Sequence, residues 1–108
     1  MSDNYQVEYQ ADKVVIILPE KVFIPNSRSF YKTLQNLFEQ GHKNVQLDCR
    51  HLKMFDTAGV SGVAIFQKKL KDAGGKLKIV NVKNDYIIHL FETIELNKIV
   101  DIEEVSES

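Results

Sequence analysis

Asp56-Thr57-Ala58-Gly59-Val60 begins a run that Gly74-Gly75-Lys76-Leu77 ends, and this run holds both a helix and the start of the strand that follows it. A short acid followed by a hydroxyl residue is a helix start, since either side chain can accept one of the free N–H groups of a first turn. At about 100° per residue, Gly59, Val63, Phe66, Leu70 and Ala73 fall on one side, with Val60 at its edge. That side is expected to face a sheet. Thr57, Ser61, Ala64, Ile65 and Lys68 fall on the other. The Gly74-Gly75 pair stops the helix. Leu77, Ile79, Val80 and Val82 then read as a strand.

Working outward, the same alternation of strand and helix recurs. Upstream, Val45, Leu47 and Cys49 alternate into a strand, and a loop with Leu52, Met54 and Phe55 leads to Asp56. Before it, Phe30, Leu34, Leu37 and Phe38 have helical spacing, with Asn26 or Ser27 as the expected cap and Gly41 as the stop. Pro19 and Pro25 bracket a loop containing Phe23 and Ile24. Val14 to Leu18 is a β-branched run suited to a strand covered on both faces. Tyr5, Val7 and Tyr9 alternate as a half-buried strand joined to it by a tight Ala11-Asp12 turn. Downstream, Asn84 or Asp85 caps a third helix carrying Ile87, Leu90, Phe91 and Ile94, and Ile99, Val100 and Ile102 form a last short strand. The order β-β-α-β-α-β-α-β predicts an α/β fold. Its mixed, mostly parallel β-sheet has one antiparallel hairpin and carries the helices packed on it.

With 108 residues the chain fits a single domain, 1–108. Hydrophobic residues make up 44%, enough for one modest core. Asp101, Glu103, Glu104 and Glu107 suggest a solvated acidic tail over about 103–108. Formal net charge is -1, from 14 basic and 15 acidic residues. No nucleic-acid-binding field follows from that balance. Lys68, Lys69, Lys71, Lys76 and Lys78 gather around the second helix and the next strand, read chiefly as a solvated face. The longest apolar run, Val14 to Pro19, is too short to insert in a membrane. Met1 to Gln10 has no apolar leader-like core. One cysteine, Cys49, forbids an internal disulfide and suits a reducing, cytoplasmic setting.

The motif residues resemble the STAS domain family over Val14 to about Ile102. The resemblance rests on Asp56-Thr57-Ala58-Gly59-Val60 before an apolar helix, on Gly74-Gly75-Lys76-Leu77, and on Leu90-Phe91-Glu92-Thr93-Ile94-Glu95-Leu96 before Ile99. The corresponding motif of bacterial anti-sigma-factor antagonists has an Asp, a phosphorylatable Ser or Thr, a small residue and Gly. Similarity to these antagonists implies a STAS fold with Thr57 as phosphoacceptor beside Asp56. It also implies partner switching. The unmodified domain binds an anti-sigma factor with a serine/threonine kinase fold and so frees a sigma factor. Phosphorylation ends the complex and a phosphatase resets it. Two positions depart from that pattern: Phe23 stands near where such antagonists carry an acid, and Ala58 where a second hydroxyl residue occurs. The motif is also similar to the STAS subunit of bacterial lipid-transport ABC systems, which docks on an ATPase.

From the residues themselves, Thr57 suits a switch. It faces the free N–H groups and positive end of a helix, where it or Asp56 caps the first turn. A phosphate there adds about -1.5 to -2 charges. The fold tolerates it more easily than an interface does, because desolvating it is costly. Ile65 is the one large apolar residue on the outer side, two turns from Thr57. It is the expected partner anchor, with Ser61 and Ala64 permitting close approach, and Asp56 and Lys68 complete the partner-binding set.

Other chemistry lacks support. His42, His51 and His89 are not paired at metal-ligand spacing, and Cys49 with His51 supplies only two ligands. Gly59-Val60-Ser61-Gly62 lacks the spacing and strand of a nucleophile elbow. There is no Walker-type loop, so any ATP belongs to the partner. The expectation is a non-enzymatic protein without metal or cofactor.

Overall fold

The computed structural model describes residues 5–22 and 24–105, with the side chains of 24–27 also left aside. Phe23, singled out above, and Glu107 lie outside the described residues. The first hairpin pairs β1 (Gln6–Tyr9) antiparallel with β2 (Val14–Ile17), and Gln10 donates to the Lys13 carbonyl across the turn at 2.9 Å. Three right-handed-type crossovers are then expected to keep the remaining strands parallel. β4 (Asn44–Asp48), β6 (Lys76–Val82) and β7 (Asp101–Glu104) do pair in parallel, in the order β1-β2-β4-β6-β7. Helices α1 (Ile24–Glu39), α2 (Thr57–Asp72) and α3 (Asp85–Thr93) connect them, with a 3-10 turn at Leu96–Lys98 after α3. This is the mixed, mostly parallel α/β arrangement expected from the sequence.

Alternation along the strands sorts their side chains between two faces. Val14, Ile16, Leu18, Val45, Leu47, Cys49, Leu77 and Ile79 point into one core with Phe30, Leu34, Leu37, Val63, Phe66, Leu70, Ile87 and Phe91 of the helices. A bulge at Asn81, whose φ is 58°, shifts the register of β6 so that Val82 returns to that core. Val15, Ile17, Asp48 and Val80 are buried outside this cluster, as the opposite set.

Four expectations need correction. The first helix starts at Ile24, ahead of the Asn26 or Ser27 caps; Pro25 therefore sits in its first turn, where a missing N–H costs nothing. The loop after β2 and the loop after β4 each contain a two-residue strand. β3 (Lys21–Val22) and β5 (Met54–Phe55) pair in parallel as a separate small sheet. The final strand begins after Ile99 and Val100, because the 3-10 turn takes up the chain first and leaves Ile99 52% exposed. Asp101, Glu103 and Glu104 are solvated as expected but stand on an edge strand instead of a free tail, and Glu103 pairs with Lys78 at 3.0 Å.

Candidate functional site

The small sheet delivers the start of α2. Glu20 O accepts the amides of Lys53 at 2.7 Å and Met54 at 3.0 Å, and Val22 O accepts that of Asp56 at 3.1 Å. Asp56 leaves β5 extended, with φ -103° and ψ -176°, the backbone of an N-cap. Its Oδ1 accepts the Gly59 amide at 3.1 Å, and its carbonyl accepts that of Val60 at 3.0 Å. Asp56 is therefore the cap, and Thr57 is the first helical residue. Gly59 is required by close approach: a Cβ there would lie 3.0 Å from the Phe55 ring and 3.1 Å from Val22. Phe55 is held edge-on between Phe30 and Phe91, with ring centroids at 6.4 and 5.7 Å. The helix start thus rests on a fixed aromatic floor.

Thr57 is exposed, and its hydroxyl has no hydrogen-bond partner among the described residues. It lies on the wall of a groove of about 400 Å³, whose other lining includes Met54, Val60, Tyr86, Leu90 and Ile94. Met54, Tyr86 and Ile94 are large apolar side chains left 41%, 60% and 38% exposed. They come from β5 and from α3 with its C-terminal cap residue Ile94, so the groove runs from the start of α2 along the length of α3. Asn84 starts α3 by accepting the Ile87 amide at 3.2 Å.

The outer stripe of α2 divides among three surfaces. Thr57 and Asp56 border the groove just described. Ser61 and Ile65 line a second hollow with Arg28, Tyr31, Ala58 and Gly62, between α1 and α2. Ile65 is 53% exposed there. Ala64 and Lys68 line a third, toward the 3-10 turn. On the inner side, Gly59, Val63, Phe66 and Leu70 are buried as expected, and Ala73 is half-buried. Gly62 is buried too, against Phe30 and Tyr31 of α1. Sequence reasoning passed over Tyr86, which follows the cap of α3 on the side away from Ile87. It also read Met54 only as part of a loop.

Beyond the groove, Asp48 is a buried carboxylate at the end of β4. It accepts from the Arg50 amide at 3.0 Å, from Arg50 Nε at 3.2 Å and Nη2 at 2.6 Å, and from Asn81 Nδ2 at 2.9 Å. Burial raises its pKa, and the Arg50 and Asn81 donors outweigh burial and hold it below its ordinary value. Next to it, burial and then the Asp48 charge push the Cys49 thiol up, which leaves it an unreactive core group. Among the described residues no three His, Cys, Asp or Glu side chains converge as metal ligands. None of the described helices is long and apolar enough to cross a membrane.

The lysines gathered around α2 separate into different roles. Lys69 donates to Gln35 at 2.5 Å and lies over the Tyr31 and Phe38 rings, tying α2 to α1. Lys78 is paired with Glu103.

A model of the STAS domain family matches residues 4–108. No curated protein matches significantly in sequence. Among solved structures, a candidate anti-sigma factor antagonist of Thermotoga maritima superimposes with a TM-score of 0.83 at 19% identity, over 94% of this chain and 86% of that one. The anti-sigma factor antagonist SpoIIAA in its unphosphorylated form gives 0.71 at 16% identity, over 97% and 90%. The Bacillus cell fate determinant SpoIIAA in its phosphorylated form gives 0.73 at 17%, over 96% and 93%. At such identities these likenesses concern the fold.

Proposed function

The chain belongs to the STAS domain family, and on that premise we propose that it is an anti-sigma-factor antagonist whose binding is controlled by phosphorylation of Thr57. The partner is an anti-sigma factor with a serine/threonine kinase fold. Binding it frees a sigma factor, phosphorylation from ATP held by the partner ends the complex, and a phosphatase restores it. The module itself catalyses nothing and works in the cytoplasm as one unit.

The observation that carries this reading is the placement of Thr57. It is exposed at the first position of α2, in a groove wall that also presents Met54, Tyr86 and Ile94. A protein that reaches the Thr57 hydroxyl must cover these apolar side chains. Covering them supplies the hydrophobic part of an interface. Ile65, across the crest of α2, supplies a second anchor, with Ser61 and Ala64 small enough for close approach. SpoIIAA, which shares this fold, has been solved both in an unphosphorylated and in a phosphorylated form, in keeping with a phosphorylation switch on such a domain.

Charge gives the switch its direction. The Asp56 carboxylate already occupies the first turn of α2. A phosphate on the next residue adds about -1.5 to -2 charges beside that carboxylate. In water the pair is screened; beneath a docked protein it is not. The modified chain therefore stays folded and loses its partner. Affinity capture on the unmodified chain from its native cell, followed by ATP addition and peptide mapping of the bait, tests this. Phosphate on Thr57 with release of a kinase-fold protein is the expected result. A captured transporter ATPase, with Thr57 unmodified, would replace this reading.

A further inference from the structure

The third hollow on α2 lies at the opposite end from Thr57, with Lys68 about 16 Å along the helix axis. Its volume is about 390 Å³, and its lining is Ala64, Gln67, Lys68, Lys71, Asp72, Lys98 and Ile99. Three lysines from two elements face it against one carboxylate. Lys68 reaches Asp72 at 3.4 Å, and Lys98 pairs with Glu95 on its own turn. Both lysines are strongly exposed, with side chains 80% and 72% accessible, so these pairs hold them weakly. Lys71 has no ion-pair partner among the described residues. In the middle stands Ile99, 52% exposed.

Two features make this more than a scatter of surface charge. Gln67 Nε2 donates to the Ile99 carbonyl at 3.1 Å and ties the two walls together. Gln67 Oε1 is buried without a donor among the described residues. An acceptor left unpaired in this way is energetically costly, which marks the wall as shaped for something other than packing alone.

We propose that this hollow docks an acidic protein segment that carries an aliphatic side chain. The lysines set the sign of the occupant, and Ile99 with Ala64 sets its apolar element. A nucleic acid fits less well, because the chain as a whole carries a formal charge of -1 and the apolar centre has no aromatic ring for base stacking. The surface is separate from Thr57, and its occupancy does not depend on phosphorylation.

The test is a titration of the isotope-labelled full chain, followed by backbone amide shifts. The probe is a synthetic helical peptide with glutamates around a leucine at every fourth position. Its lysine-for-glutamate counterpart, inorganic phosphate, single-stranded DNA and anionic vesicles are run beside it. Saturable shifts at Ala64, Gln67, Lys71 and Ile99 are expected with the acidic peptide alone, weakening as salt is raised. Lys71→Glu with Lys98→Glu should weaken binding by roughly tenfold or more, and Ile99→Ala should weaken it by a smaller factor. Both variants change exposed side chains, and unchanged thermal unfolding verifies their fold. Equal shifts with phosphate, DNA or vesicles overturn the proposal, as do unchanged affinity in the charge-reversed variant and shifts confined to the Thr57 end.

Discussion

The Asp56 carboxylate accepts the Gly59 amide at 3.1 Å, and this one bond separates the capping role from the switching role. With Asp56 as the cap, Thr57 is released from structural duty. Asp56→Ala should lower stability by about 1 kcal/mol, the usual cost of losing an N-cap. Thr57→Ala should change it by less than about 0.5 kcal/mol, as for other exposed positions. Urea denaturation of the two variants measures both. Equal losses would mean that Thr57 shares the cap.

Two glycines in α2 should respond in opposite directions. Gly59→Ala drives a methyl to 3.0 Å from the Phe55 ring, which Phe30 and Phe91 hold in place. It should cost about 1–3 kcal/mol through overpacking. At Gly62 the nearest atoms to a new Cβ are 3.7 Å away on Phe30, an ordinary contact. There alanine should stabilise by about 0.5–1 kcal/mol through helix propensity. Melting temperatures that move in the same direction would contradict this packing.

Asp48 gives the fold an acid limit. Its folded pKa lies below the ordinary value of 3.8, held there by Arg50 and Asn81 against burial. Its contribution is therefore fully present above that ordinary value and is lost as pH falls through the lower, folded one. Asp48→Asn should flatten the fall of stability with acid in that window. Arg50→Ala should lower stability near neutral pH, since it strips two side-chain donors from a buried carboxylate. Denaturation curves taken between neutral pH and strong acid measure both effects. An unchanged acid slope in Asp48→Asn would assign it to other carboxylates.

Ile65 separates anchoring from packing. It is 53% exposed in the hollow between α1 and α2. Ile65→Asp should therefore keep stability within about 0.5 kcal/mol and lose about 1–3 kcal/mol of partner binding. Calorimetry with the captured partner, beside a melting curve, reads both numbers. Full stability with full affinity would remove Ile65 from the interface and leave the Met54, Tyr86 and Ile94 groove as the docking surface.

The sequence made the large elements legible because each carried its own period. The β-branched run at Val14 to Leu18, the Gly74-Gly75 stop and the Asn84 cap all have local causes. The small sheet was not legible, since Lys21–Val22 and Met54–Phe55 are too short for any period and gain stability only by meeting. The Asn81 bulge was hidden for a similar reason: its αL backbone answers to the Asp48 carboxylate, a partner 33 residues away. At the site, Asp56, Thr57 and the exposure of Ile65 could be read from one helix. The groove beside Thr57 could not, because Met54, Tyr86 and Ile94 meet only through tertiary packing.

Binding of the captured kinase-fold partner to the chain before and after modification of Thr57 shows whether that residue is a switch. The phosphorylated chain is prepared with the partner and ATP, its site mapped by mass spectrometry, and both forms are titrated by calorimetry. A single phosphate on Thr57, an unchanged fold, and affinity reduced by at least about tenfold, or about 1.4 kcal/mol, are expected. Equal affinity of the two forms, or a phosphate mapped to another residue with Thr57 unmodified, would contradict a switch at Thr57.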